Sequence, residues 1–402
     1  MQDDQRLTSL FQILALLNAH QISYTIEGAM ALALQGVPSV ENEEEACRIL
    51  FQWDAFEKIS QLFADYPDFC IIDETDGKAI TLAYDRWSYY LHCTYGTVIR
   101  TDPDRVLTPC QGNEIPVKCF DSYLRELNIN SPMRRAVKEY LAQLQQTDAS
   151  ANGEAWNEDA FQAWIHRFGT PQQAAEKIRK NPKAKLGTLA PYFSENEVIG
   201  RRILNMLGSH GGKAIALASM GAEVTVVDIS SENAAYARQT AAAIEVPLHY
   251  VVSDVLNLPE EEKAKSYDCV FMELGILHYF IDLEPLAALI MGMLRTGGTM
   301  ILQDFHPVST KLVTTKGKKQ VVFGNYFDKK LITRSVAYEK HLDQDRHQQL
   351  KHHVYLREWT LGEIVTAFAA AGLRVERLDE APNMKIADIG LPKLFTLVCT
   401  KD

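Results

Sequence analysis

The sequence predicts an α/β fold, a Rossmann-like doubly wound sheet in the second half of the chain preceded by a smaller α+β domain, and three observations carry this. From Arg201 onward, short apolar strands alternate with helix-length segments: RRILNML, KAIALASMG, AEVTVVDIS, SENAAYARQTAAAIE, VPLHYVVSDV, YDCVFMEL, EPLAALIMGMLRTGG and TMILQDF. A glycine-rich turn, Gly208-Ser209-His210-Gly211-Gly212, separates the first strand from the first helix. The second strand ends in an acidic residue, Asp228, twenty positions after Gly208. Buried strands alternating with helices imply right-handed βαβ units and a parallel sheet. Ligands of such sheets bind beyond the carboxyl ends of the strands, where the strand order reverses.

A chain of 402 residues is long for one domain and predicts two, each with its own core. Hydrophobic residues at 47% and charged residues at 23% are ordinary for a globular protein. A net charge of −11 opposes a nucleic-acid partner, whose affinity rests on Lys and Arg displacing counterions, and favours a small-molecule substrate. The acidic start, MQDDQRLTSLFQ, lacks the basic and apolar regions of a secretory signal, and no apolar run approaches a membrane span. The seven cysteines include no CxxC pair and are odd in number, so the expectation is a cytoplasmic protein without a disulfide framework.

Residues 1–147 read as an α+β accessory domain. An amphipathic helix (LTSLFQILALLNAH) leads to a short strand (SYTIE), a helix (AMALALQG) and strand-like runs such as AITLAY and WSYYLHCTYGTVI. The helix SPMRRAVKEYLAQLQQ closes it, with Ser131 as N-cap and Pro132 at the first position. The small, polar TDASANGE reads as a linker, and residues 148–200 as linker and helical cap before the domain at 201–402.

The glycine turn lets backbone approach a ligand, and an acidic residue ending the second strand accepts hydrogen bonds from ribose hydroxyls. A nicotinamide dinucleotide and S-adenosylmethionine share that arrangement. The dinucleotide fingerprint is GxGxxG, whereas this chain has GSHGG, and its third strand supplies Ser253-Asp254-Val255, an acidic residue suited to an adenine amino group.

The ordered set ILNMLGSHGGKAIALASMGAEVTVVDIS, VVSDVLNLP, YDCVFMELGILHYF, LRTGGTMILQDFHP and WTLGEIVTAFAAAGLRVERLDEAP…LPKLFTLVCTK resembles a class I S-adenosylmethionine-dependent methyltransferase over roughly residues 157–402. The resemblance implies a seven-stranded sheet with its last strand inserted antiparallel, and S-adenosylmethionine as cofactor. Carried over by position, Gly208, Ser209 and Gly211 pass beside the cofactor's amino-acid end. Asp228, with Ile229 after it, binds the ribose, Asp254 with Val255 binds the adenine, and Glu273 borders the methionine and sulfonium. The family's first-strand acidic residue is Asn205 here, which keeps a hydrogen-bond acceptor but loses the charge that would pair with the cofactor's ammonium. Leu207 and Ser209 stand at the first two glycine positions of the usual G-x-G-x-G.

Methyl transfer from a sulfonium needs alignment and exclusion of water, and a base only where the acceptor must lose a proton. Glu273, His278 and His306 are the catalytic candidates, with Tyr279 and Asp304 beside them, all at the carboxyl edge of the sheet. An insertion at 305–359, with strand-like QVVFGNYF, LITRSVAYEKH and KHHVYLREW, reads as a lid over the acceptor or a homodimer edge. Its histidines, 341, 347, 352 and 353, match no metal-ligand spacing, and the basic stretch Lys316–Lys319 reads as an exposed turn. The aromatic cluster Trp156, Trp164, Phe168, Tyr192 and Phe193 either caps the cofactor or packs between domains.

The stretch ISYTIEGAMALALQGVPSVENEEEACRILFQWDAFEKI resembles a minimal nucleotidyltransferase fold, with Glu27-Gly28-Ala29 at the turn and Glu43 and Glu45 near the positions of two metal-binding carboxylates. Glu where Asp is usual, and Ser39 where a basic residue is expected, imply a degenerate domain. Two competing readings of the whole chain stand beside the methyltransferase: a catalytically inactive two-domain binding or regulatory protein, and a dinucleotide oxidoreductase.

Overall fold

The structure, a computed structural model, describes residues 2–38, 46–194, 198–317, 319–343, 350–383 and 390–402. The chain divides into two compact units, Met1–Gln143 and Leu144–Asp402.

The first unit is built on a seven-stranded mixed sheet in the order Cys70–Asp73, Gly77–Tyr84, Trp87–Thr94, Ala46–Phe51, Tyr24–Glu27, Asn113–Lys118, Arg105–Cys110. Alternation along these strands decides what each face carries. Cys47, Ile49 and Phe51 turn inward with Tyr89, Leu91 and Cys93, and meet Leu10, Ile13, Leu14 and Leu17 of helix Gln2–Ala19, which recur at helical spacing. The tight turns Asp85-Arg86 and Gln111-Gly112 have two successive positive φ angles, 46° and 67° in the first and 48° and 78° in the second. That geometry matches the twist of the strands they join. On the polar face, Arg48 pairs across from Glu27, and Leu50 follows at the next outward position. Glu27 itself accepts from the His92 ring at 3.0 Å and lies 3.9 Å from Lys118. The strand therefore offers no carboxylate pair on this face, and Glu43 and Glu45 lie outside the described residues.

The segment TDASANGE, read from composition as a linker, is instead part of an unbroken helix, Pro132–Trp156. Its small residues serve packing: Ala149, Asn152 and Ala155 are buried, Gly153 lies against Ile229, and Asn152 exchanges two hydrogen bonds with the Tyr355 backbone at 2.8 and 3.2 Å. Tertiary burial overrides the loop-like composition.

The second unit is the expected doubly wound sheet. Its strands are β1 (Arg202–Met206), β2 (Glu223–Asp228), β3 (His249–Val252), β4 (Tyr267–Glu273), β5 (Leu294–Phe305), β6 (Leu373–Pro382) and β7 (Pro392–Lys401). Their order is β3-β2-β1-β4-β5-β7-β6, with β1 to β5 parallel and β7 antiparallel to both neighbours. Both faces are covered. Leu204, Met206, Val270 and Met272 pack against helices Glu284–Met293 and Leu361–Ala370. Ile203, Val224, Val226 and Phe271 pack the other way, against Gly212–Ser219, Ser231–Ile244 and Pro171–Lys180. The order reverses between β1 and β4, so the crevice opens at their carboxyl ends. Within the insertion, Val313–Lys316 pairs with Lys319–Val322 and Leu331–Arg334 with Val354–Arg357, both antiparallel as the alternation predicts.

Candidate active site

β1 ends in a turn whose backbone alternates into the left-handed region at Leu207 (φ 49°), Ser209 (φ 47°) and Gly211 (φ 67°). Two of these are not glycine, so the turn keeps its left-handed geometry while carrying side chains that rarely adopt it. Gly208 is required for a different reason: a Cβ there would come within 2.6 Å of Asn205 Oδ1 and of Val226 Cγ1. Asn205 lies buried beneath the turn, donating to the Phe271 carbonyl at 3.4 Å, and supports it from below.

Above the turn lies a cavity of about 470 Å³, within the range of small-molecule sites. Of the residues the sequence singles out, Gly208, Ser209, Asp228, Ile229, Asp254, Val255, Glu273 and His278 all line it. Asn205, Gly211 and His306 do not. Gly211 is the left-handed N-cap of helix Gly212–Ser219. His306 is buried outside the cavity, its Nε2 2.7 Å from Glu380 and its Nδ1 accepting from Val308 N at 3.2 Å.

Asp228 is fixed by three donors: Ser209 N at 2.9 Å, Ser230 N at 3.0 Å and Asn233 Nδ2 at 3.0 Å. Burial raises its pKa, and these donors oppose the rise. Asp254 caps the turn Val255–Asn257, accepting from Leu256 N at 3.1 Å and Asn257 Nδ2 at 2.9 Å, and burial raises its pKa too.

The sequence reading missed the basic side of the cavity. Lys213, on the helix after the turn, pairs with Glu273, so Glu273 is already engaged with a cation. Lys185, from helix Pro182–Leu186, has its ammonium 4.6 Å from the Phe168 ring centroid and no ion-paired carboxylate among the described residues. Burial lowers its pKa. The signal for both lysines is three-dimensional, since they are distant in sequence and meet only when helices pack.

Ser209 Oγ and both ring nitrogens of His210 are buried without a hydrogen-bond partner. The His210 ring stacks on Phe168 at 4.5 Å and on Trp164 at 4.9 Å between centroids. Burial, reinforced by Lys185 and Lys213, pushes its pKa down to about 3. Orphaned polar atoms around a glycine cradle suit a polar ligand that completes them.

The loop after β4 is organised by Asp304. Its carboxylate accepts from the backbone N–H of Gly275 (2.5 Å), Ile276 (3.2 Å), Leu277 (3.2 Å) and Phe305 (2.7 Å), which clamps the loop after β4. That clamp leaves Asp304 as a support for the loop instead of a free base. On this loop His278 faces the cavity with its ring 4.5 Å from Tyr279, whose hydroxyl accepts from Trp156 Nε1 at 3.0 Å. Burial brings the His278 pKa down to about 4 against the pull of Asp304, so the ring is neutral near pH 7.

Trp156, Trp164 and Phe168 line the cavity, whereas Phe193 packs edge-on against Phe271 in the core and Tyr192 donates to Asp379. The aromatic cluster therefore divides between the cap and the core. From the insertion, Ala337, Lys340 and His341 reach the cavity. His352 lies beside Glu154 and Glu158, and His347 is outside the described residues. Among the described residues no trio of His, Cys, Asp or Glu is arranged to hold a metal ion.

A neutral buried histidine has a stability signature. The folded-state pKa of His210 is depressed, so its contribution is present above pH about 6.5 and is lost as pH falls toward 3. Replacing His210 by phenylalanine is expected to flatten the decline of the melting temperature between pH 6.5 and 4, measured against wild type by circular dichroism. Parallel declines in the two proteins would show that His210 does not titrate as described.

A sequence profile described as a methyltransferase domain matches residues 206–302. No curated protein sequence matches the chain. Among solved structures, an S-adenosylmethionine-dependent methyltransferase from Mesorhizobium loti is similar at 19% identity, covering 54% of this chain and 98% of its own, with a TM-score of 0.43. Magnesium protoporphyrin IX methyltransferase from Synechocystis PCC 6803, solved with S-adenosylhomocysteine bound, is similar at 16% identity, covering 63% of this chain and all of its own, with a TM-score of 0.39. The profile match falls on the segment that builds the glycine turn, Asp228, Asp254 and the loop after β4. Residues 206–302 are a methyltransferase domain, carried on a seven-stranded sheet whose last strand is inserted antiparallel.

Proposed function

We propose that this protein transfers the methyl group of S-adenosylmethionine to a small-molecule acceptor. The observation that carries the reading is one cavity joining Asp228 and Asp254 on one side to a neutral His278 on the other. The bound cofactor supplies a methyl group already activated on a sulfonium. Asp228 offers carboxylate oxygens to ribose hydroxyls, and Asp254, beside Val255, faces the adenine. Gly208 and Ser209 give backbone access to the amino-acid end. Charge is matched there by Lys185 toward the carboxylate and by Glu273, which is paired with Lys213, toward the ammonium. His278 takes the proton that an acceptor hydroxyl or amine loses as its lone pair bonds to the methyl carbon. Trp156, Trp164 and Phe168 exclude water from the transfer.

Calorimetry with S-adenosylhomocysteine tests this, with 5′-methylthioadenosine as a ligand lacking the amino-acid end. Wild type is expected to bind both, the first more tightly. Lys185→Met is expected to weaken S-adenosylhomocysteine by about ten-fold, the scale of one charge-assisted hydrogen bond, and to leave methylthioadenosine unchanged. No binding by folded wild type, or a response to NADH instead, would sink the reading. Equal weakening of both ligands in the variant would remove Lys185 from the amino-acid end alone.

A further inference from the structure

In an acidic chain, the segment 311–331 is rich in lysine and carries exposed aromatic side chains. Residues 311–331 contain six lysines and one aspartate, with no glutamate or arginine, in a chain whose net charge is −11. Val322, Phe323, Phe327 and Leu331 in this segment are 71%, 56%, 55% and 45% exposed. Four large apolar side chains held in water within ten residues of chain are unusual unless another phase or partner covers them.

Their exposure is held in place by the fold. Lys311 is buried beneath the segment and donates to the carbonyls of Asp328 (2.6 Å) and Glu358 (2.7 Å). Phe323 N donates to the Leu312 carbonyl at 3.0 Å, and the Tyr326 hydroxyl accepts from Leu361 N at 3.0 Å. Gly324 passes so close to Lys311 that a Cβ there would meet its carbonyl oxygen at 2.2 Å. The turn is anchored from within, so its phenyl rings face outward by construction. Lys316, Lys319 and Lys330 of the same segment are exposed.

We propose that this surface docks the protein onto an anionic lipid surface. Lysines flanking exposed aromatic and aliphatic side chains give the two terms of interfacial binding, attraction to acidic headgroups and burial of apolar area at the acyl boundary. A twofold contact with a second copy would set lysines against lysines. A nucleic acid would be read by arginine forks, and the nearest arginine along the chain, Arg334, is paired with Glu358 at 2.7 Å. The contact is peripheral, since no helix among the described residues is long and apolar enough to cross a membrane. The insertion also sends Ala337, Lys340 and His341 to the cavity, so the docked segment and the site belong to one stretch of chain.

Vesicle co-sedimentation tests the proposal, comparing phosphatidylcholine alone with phosphatidylcholine containing 30% phosphatidylglycerol at low and high salt. Wild type is expected to pellet with the anionic vesicles at least about ten-fold more than with neutral ones, and to be released by salt. Phe323→Ser/Phe327→Ser and Lys316→Glu/Lys319→Glu are each expected to lose binding while keeping wild-type S-adenosylhomocysteine affinity and melting temperature. Absence of pelleting, pelleting that neither variant changes, or equal binding to neutral vesicles overturns the proposal. So does a wild-type dimer that dissociates in the Phe323→Ser/Phe327→Ser protein, which would assign the patch to a second copy.

Discussion

Asp228→Ala is expected to weaken S-adenosylhomocysteine binding by roughly 1.5–3 kcal/mol, about 10- to 150-fold in Kd, because a buried acceptor for two hydroxyls is lost. The side chain is preorganised for that task, since Ser209 N, Ser230 N and Asn233 Nδ2 hold it at the end of β2 before any ligand arrives. The same donors predict a second effect. Alanine leaves three buried N–H groups without their acceptor, so the melting temperature falls as well. Asp228→Asn separates the two effects, keeping the shape and one carbonyl oxygen while losing the charge. An unchanged Kd for Asp228→Ala would show that the ribose does not lie at β2.

Asp304→Ala is expected to destabilise the second unit by about 3 kcal/mol or more, read by urea denaturation. One carboxylate receives four backbone N–H groups, and its removal strands donors at the root of the loop bearing His278. Methyl transfer is expected to fall with it, through loss of loop geometry. His278→Asn provides the contrast, with stability near wild type and transfer reduced. A change in stability below about 0.5 kcal/mol for Asp304→Ala would mean the clamp is dispensable.

The division between what sequence reveals and what it hides follows physical range. Strands β1, β2 and β4 and the second half of β5 are buried on both faces and stand out as apolar runs separated by helical periodicity. Asp228 and Asp254 sit at strand ends, a place counted off along the chain. Lys185 and Lys213 could not be found that way, because Lys185 comes from a short helix ahead of the sheet and reaches the cavity only through packing. Asp304 was visible as an acidic residue at the carboxyl end of β5, but its four-donor clamp depends on the return of the loop from β4. His306 looked equivalent to His278 by position, yet the pairing of β5 with β7 carries it behind the cavity to Glu380. The helix over 147–154 was hidden by composition, since alanine, asparagine and glycine serve a tight interface as readily as a loop. In the first unit, the strand Ala46–Phe51 reads as apolar, and its outward Arg48 is recognisable only once the register with Glu27 is known.

Leu207 and Ser209 bear on how related chains are to be found. A search written for glycines would pass over this turn, although the backbone follows the path that glycines usually permit. The shape here is enforced by what surrounds it: Asn205 and Val226 beneath Gly208, and the Tyr250 hydroxyl donating to the Ser209 carbonyl at 2.6 Å. Homologues that keep those supports are expected to vary at 207 and 209, so the heritable signature of the motif is the glycine at 208 and its underpinning.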